Sequence, residues 1–426
     1  MKPWEKRLRD LSRLLQNCHA TYLDPDLFRM NTNQFLQTAR TVTFIIQKNK
    51  STIPDYEKWY SNTVVKAWGR DDVMSWAKEA RNTIEKEGDL ELNSSLKLTL
   101  VFSYLVEDDV EIQCGKKELL NAGVNKLVHL AEQNLPSGVS DAAVVKIERR
   151  WVTAMLPNWE LLQALAYVYA RIFGCCKSLA KQLGTPLEEC IPDAHFFRAL
   201  QDEARQVSYI KLNGLSRHSL KTKAISVDRK FRPPPAIQEA FNSIHANRSW
   251  PRNPDGVLEY YTNMAELMFI HFGSHVPMLF LFNECWELID IVSTQFEDQA
   301  DKFIFWRDVA DRIVTLQASG LVWISESWIR SMDRSGVTAV RNMPITGEQL
   351  HVVAVEKSGN IRQIGWYILR DSDAAKPVLQ RVPVEDKMEK DALPYFLVPA
   401  LRAMGIKDPE FMTRLHTGKL ISPLGL

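Results

Sequence analysis

Cysteine is scarce in this chain: six residues in 426, at Cys18, Cys114, Cys175, Cys176, Cys190 and Cys285. They follow no metal-ligand spacing and mostly sit among apolar neighbours. That excludes a disulfide framework and leads us to expect reduced thiols in a cytoplasm. An excess of charge of one sign is absent as well, since 53 Lys and Arg balance 52 Asp and Glu to leave +1. No global field therefore recruits nucleic acid or an anionic membrane, and any such partner needs a local patch. No apolar run approaches the roughly 18 residues of a spanning helix, and no membrane partner is expected. The densest, Val276–Phe282, is strand-length and contains Pro277. The N-terminal MKPWEKRLRDLSRLL lacks an unbroken apolar core and a small-residue cleavage site, so no secretory leader is expected.

Catalytic signatures are missing too. There is no GxxxxGK[ST]; Gly418-Lys419 precedes Leu420, which has no hydroxyl for magnesium. Neither GxSxG, HExxH, CxxC nor an EF-hand loop occurs, and no cofactor or metal is expected. His271 and His275 are spaced HxxxH, but Gly273 and Pro277 predict a turn. On an extended strand the two rings would stand about 13 Å apart, too far for one metal.

What is present is the balance of a globular protein, 45% hydrophobic and 25% charged. Residues 1–88 read as four helices. Trp4, Leu8, Leu11 and Leu15 keep a 3.6 period, as do Phe35, Ala39, Val42 and Ile46. A third helix starts after Pro54-Asp55. A fourth starts at Asp71-Asp72, buries Val73, Trp76, Ala80 and Ile84, and stops at Gly88. From Asn93 the character changes. SLKLTLVFSYLVEDDVEIQ alternates like a hairpin, and helices follow over 116–133, 158–183 and 193–206. VSYIKLNGLSRHSLKTKAISVDRKF reads as strand, turn and strand. After the loop WPRNPDG come a helix, a hairpin of MFIHFGSHVPMLFLFN with CWELIDIV, the helix 297–319, and the strand LVWISESWI. A hairpin turning at Ser358-Gly359-Asn360 and a last helix at 393–404 complete the chain. The fold class expected is α+β: an N-terminal antiparallel helical bundle, then mixed α/β regions with antiparallel sheets. Three regions are expected, 1–93, 94–250 and 251–426.

Two groups of residues invite chemistry. Lys211, Arg217, His218, Lys221, Lys223, Arg229, Lys230 and Arg232 are opposed only by Asp228. On a hairpin they would form a basic ribbon for phosphates, or else a lysine-protected edge. Glu287, Asp290 and Glu326 are carboxylates in a C-terminal region whose element order approaches that of restriction-type nucleases. The only acidic-acidic-lysine triplet, Glu385-Asp386-Lys387, lies in a polar connector.

The four-helix order with Arg81-Asn82 in the last helix resembles the HEPN superfamily, over residues 1–93. That resemblance implies an Arg-x(4–6)-His ribonuclease motif, dimerisation, and a bacterial stress or antiviral-defence setting. Here Lys86 stands where the histidine belongs, so the implied site is Arg81, Asn82 and Lys86 in degenerate form. Arg13 and His19 give a second match, in the first helix. The ordinary alternative for Arg81 is an ion pair with Glu85 at i,i+4. The function expected is a non-catalytic or weakly RNA-binding, HEPN-like protein of the cytoplasm. It would self-associate as a homo-oligomer or bind RNA or a partner protein. The alternatives are an active nuclease and an interaction scaffold.

Overall fold

The computed structural model describes residues 1–114, 117–135, 142–202, 206–212, 224–225, 234–245, 250–331, 342–370, 376–382 and 395–406. The chain is α+β and divides into two compact units. The first is Met1–Leu100, Val110–Leu135 and Val145–Ser219; the second is Val101–Asp109, Pro136–Val144 and Leu220–Leu426.

The first unit opens with α1 (Pro3–Ala20), α2 (Pro25–Lys48), α3 (Tyr56–Tyr60), α4 (Lys66–Trp68) and α5 (Asp72–Lys86). α2 and α5 start where a side chain can replace a missing backbone acceptor. Asp24 accepts from Leu27 N at 3.1 Å with Pro25 at the first position, and Asp71 accepts from Met74 N at 3.1 Å. α5 ends at Gly88, whose φ of +128° an L side chain rarely adopts. Next come β1 (Asn93–Val101), β2 (Val110–Ile112), α6 (Lys117–Leu120), α7 (Val124–Gln133), β3 (Val144–Val152), α8 (Leu161–Gln182), α9 (Arg198–Asp202) and β4 (Gln206–Lys211). The strands form a sheet in the order β2-β1-β3-β4.

The expected stripes are inside: Leu8, Leu11, Leu15, Phe35, Val42 and Ala80 are all fully buried or nearly so. Each leucine burial contributes about 1.5–3 kcal/mol. The helical core does not close at residue 93. Leu162, Leu165, Tyr169, Cys176 and Leu179 of α8 belong to the same cluster as α1, α2 and α5. Four amphipathic stripes need a common apolar neighbour, and α8, apolar on nearly every side, supplies it.

The second unit contains β5 (Ala224–Ile225), α10 (Pro235–His245), α11 (Pro254–Phe272), β6 (Met278–Phe282), β7 (Leu288–Thr294), α12 (Gln299–Leu316), β8 (Gly320–Arg330), β9 (Ile345–Glu356), β10 (Ile361–Leu369), β11 (Val378–Arg381) and α13 (Val398–Ala403). Its sheet runs β11-β10-β9-β8-β6-β7-β5, antiparallel at every junction. Both faces are covered, so alternate residues of one strand feed different cores. Leu279, Leu281, Leu321 and Trp323 pack toward α12 and α13, while Phe280, Phe282, Val322 and Ile324 pack toward α11. At the turn after β6, Trp286 takes a left-handed φ of +59° and lays its ring on Gly320, where an added Cβ would meet the indole at 2.8 Å. Residues 101–109 count with this unit. Tyr104 meets Phe303 edge-on at 5.0 Å, and Asp109 pairs with Arg307 at 2.7 Å.

Four local expectations need correction. The MFIHF stretch is the last turn of α11, not the first arm of a hairpin. The helix ends at Gly273, left-handed at φ +75°. The pair expected as a basic hairpin is not one: β4 belongs to the first sheet and β5 to the second, where it pairs with β7. The region 116–133 is two helices, α6 and α7. β3 was not anticipated at all, although Val144, Val145, Ile147 and Trp151 are buried along it.

Candidate partner-binding face

The residues singled out in sequence do not converge. Arg81 donates to Glu85 at 2.5 Å and to Asn82 Oδ1 at 3.1 Å, so a local pair occupies its guanidinium. Lys86 is exposed in the last turn of α5. Arg13 and His19 lie on the water side of α1. Lys211 is half-buried on β4; Arg217, His218, Lys221, Lys223, Asp228, Arg229, Lys230 and Arg232 lie outside the described residues, as do Glu385, Asp386 and Lys387.

The carboxylates are separated by the sheet itself. Asp290 sits opposite Leu281, on the α12 face, and accepts from Arg312 at 2.8 Å. Glu326 shares the α11 face with Ile324, and its oxygen accepts from His275 N at the foot of α11. Glu287 is tied to Asn283 in the β6–β7 turn. Residues on opposite faces of one sheet cannot hold one ion. Among the described residues, no three His, Cys, Asp or Glu side chains gather as a metal site. His271 is exposed in the last turn of α11, whereas His275 is buried, and burial lowers its imidazole pKa.

Two arrangements were missed. The first is internal. Tyr22 Oη lies 2.8 Å from Glu160 Oε1 and 2.9 Å from the Arg149 carbonyl, and it accepts from Trp151 N at 3.3 Å. One hydroxyl hydrogen cannot serve both acceptors. A protonated Glu160 would supply the second, and burial pushes that carboxyl up to about 7. Glu160 also caps α8, accepting from Gln163 N at 2.9 Å. Arg149 is fully buried, and its Nη2 donates to the Ala122 carbonyl at 2.7 Å. Its guanidinium lies 5.0 Å from the Trp151 ring centre. This network ties the start of α8 and the turn after α1 to β3 and is buried; it orders the first unit.

The second arrangement faces outward, at the end of the second sheet where β8 and β10 finish and β9 and β11 begin. On the α11 side, Trp328 of β8 stands opposite Glu348 of β9. Arg370 donates to Glu348 at 2.7 Å and lies 3.9 Å from Glu326. Arg330 places its guanidinium 5.4 Å from the Trp328 ring centre. Trp328 is 63% exposed. By strand alternation the exposed Ile329, Leu369 and Val378 point to the other face, that of α12, and Ile345 stands opposite Arg330 past a register irregularity. Burial raises the Glu326 carboxyl pKa, while Arg370 opposes that rise. Glu326 is thus held by the His275 N–H and by Arg370 rather than by water alone. The sequence did carry a signal for this place, a glutamate between two tryptophans in SESW, but not its geometry. Among the described residues no helix is long and apolar enough to cross a membrane.

Fold and site together define the class: an α+β protein of two units with an exposed aromatic and charged sheet end. More particularly, the chain belongs to the family of bacteriophage lambda protein ea47, whose model matches residues 1–399. It is 43% identical to Protein ea47 of Escherichia phage lambda over 404 residues, covering 95% of this chain and 97% of that one. No solved structure matches. This membership overturns the HEPN resemblance, because one family spans the first 399 residues, helices included. The ribonuclease, RNA-binding and antiviral-defence expectations fall with it. The physical reason is plain: amphipathic helices in series with an Arg–Glu pair at i,i+4 arise in any helical bundle.

Proposed function

We propose that this protein acts by binding another protein at the open end of its second sheet. The observation that carries the reading is Trp328, an indole 63% exposed yet held by Arg330 and flanked by Arg370 and Glu348. Leaving so large an apolar ring in water is unfavourable, and tryptophan with arginine is the composition of interface hot spots. The partner offers an apolar pocket for the indole and carries an acid for Arg330 or Arg370. Six free thiols, four of them buried, support action in a reducing compartment, the cytoplasm.

A photo-crosslinking phenylalanine analogue at position 328, in bacterial cells producing the full chain, tests this. A discrete adduct with one other protein is expected. The adduct should be absent with the probe at exposed Ser358 and lost with Arg370→Glu. Equal labelling at both positions, or none at 328, overturns the reading.

A further inference from the structure

The water-facing sides of α1 and α2 differ. On α1 the exposed positions include Lys6, Arg7 and Arg13, the usual charged exterior. On α2 the outward stripe runs Leu27, Met30, Gln34, Gln37, Thr41, Phe44 and ends at Lys48. Its members between Leu27 and Phe44 are uncharged, and the exposed Arg40 flanks it beside Phe44. Met30 is 60% exposed, Phe44 48% and Leu27 46%. Their spacing, alternately three and four residues, is the 3.5-residue repeat that keeps one seam facing a partner helix. The stripe from Leu27 to Phe44 spans about 25 Å, at roughly 1.5 Å per residue. It lies in the first unit.

Charge says what covers it. The N-terminal end of the stripe carries Asp26, exposed beside Leu27 and 3.4 Å from Arg29. The C-terminal end is basic, with Lys48 Nζ 5.4 Å from the Phe44 ring centre. A second α2 laid parallel would set Asp26 on Asp26 and Lys48 on Lys48. Laid antiparallel, it sets acid against base at both ends and opposes the two helix dipoles. The same arrangement brings Leu27 against Phe44 of the second copy and Gln34 against its Gln37, so the seam complements itself, as a two-fold interface requires. The geometry points to a homodimer formed by antiparallel pairing of α2 with α2 of a second copy of this chain.

Sedimentation of the full chain over micromolar concentrations tests it. A concentration-dependent dimer is expected. Met30→Glu should weaken it by about 100-fold or more with an unchanged melting temperature. Gln37→Arg, at a half-exposed position near the two-fold axis, should do likewise and guards against a misfolded first variant. Orientation is read by crosslinking in a Cys190→Ser, Cys285→Ser background. Leu27→Cys and Phe44→Cys chains should couple when mixed, and neither should couple with itself. Trp328→Ala should leave the dimer intact. A monomer at all concentrations, a dimer indifferent to both charge variants, or efficient coupling of each cysteine variant with itself overturns the proposal.

Discussion

Each unit buries an arginine, and the two are held in opposite ways. Arg307 in the second unit is 7% exposed and meets Asp109 at 2.7 Å, with its other nitrogen on the carbonyls of Ser103 and Phe303 at 3.0 Å. Arg149 in the first unit is fully buried, and among the described residues no carboxylate lies within ion-pair distance. Backbone carbonyls and the Trp151 face hold it instead, while Nε and Nη1 have no hydrogen-bond partner in the structure. Burial lowers its guanidinium pKa to about 10, still charged at neutral pH. A matched pair loses much when one member goes, because the other charge is stranded. A cation held by dipoles has less to strand.

Breaking the pair should therefore have the largest effect. Asp109→Ala leaves Arg307 buried without its counter-charge and should cost about 3–5 kcal/mol in denaturant titration. Adding Arg307→Met should recover a good part of that loss. If the double variant is no more stable than Asp109→Ala, the pair is not what holds this segment.

The next effect concerns pH in the first unit. Glu160 titrates near 7 when folded, against 4.5 for the free carboxyl. A folded-state value raised in this way means that the folded protein binds its proton more tightly. The associated stability is present in full below about 4.5 and is lost as pH rises through 7, amounting to roughly 3 kcal/mol. Melting temperature should fall between pH 5 and pH 8, and Glu160→Gln, which keeps an acceptor for Gln163 N, should flatten that fall. An identical slope in the variant would assign the pH dependence elsewhere.

A smaller change is expected at Arg149. Arg149→Met removes a desolvated charge but leaves the carbonyls of Leu120 and Ala122 without their donor. The two terms oppose, and the net cost should be about 1–2 kcal/mol, below that of Asp109→Ala. A larger loss than at Asp109 would invert the comparison. The smallest effect belongs to the surface. Trp328→Ala should shift stability by no more than about 0.5 kcal/mol while abolishing the proposed partner contact.

Much of the fold was legible because it is local. The stripes of α1, α2 and α5, the strand LVWISESWI and the Ser358–Asn360 turn all follow from periodicity and turn chemistry over fewer than twenty residues. The MFIHF error was local as well: an apolar run without polar interruptions fits a helix end as well as a strand, and only Gly273 marks where the helix stops. The candidate face was barely legible. Its members, Glu326, Trp328 and Arg330, Glu348, and Arg370, come from three places in the sequence brought together by strand register. Glu326 could be picked out by its neighbours, but Arg370 and Glu348 could not. Arg81 and Lys86, by contrast, stood out as a motif and proved to sit on an ordinary charged helix face.

By itself, then, the chain's order of residues settled most of the long helices, several of the strands, and that the protein is α+β, because those depend on backbone preferences and nearest neighbours. Only the tertiary structure decided that α8 closes the helical core, that β4 and β5 enter different sheets, and that Arg149 is buried rather than exposed. Those outcomes depend on partners supplied from far along the chain. An alternating strand fits many neighbours equally well. An arginine enters a core only where carbonyls such as those of Leu120 and Ala122 are already turned toward it.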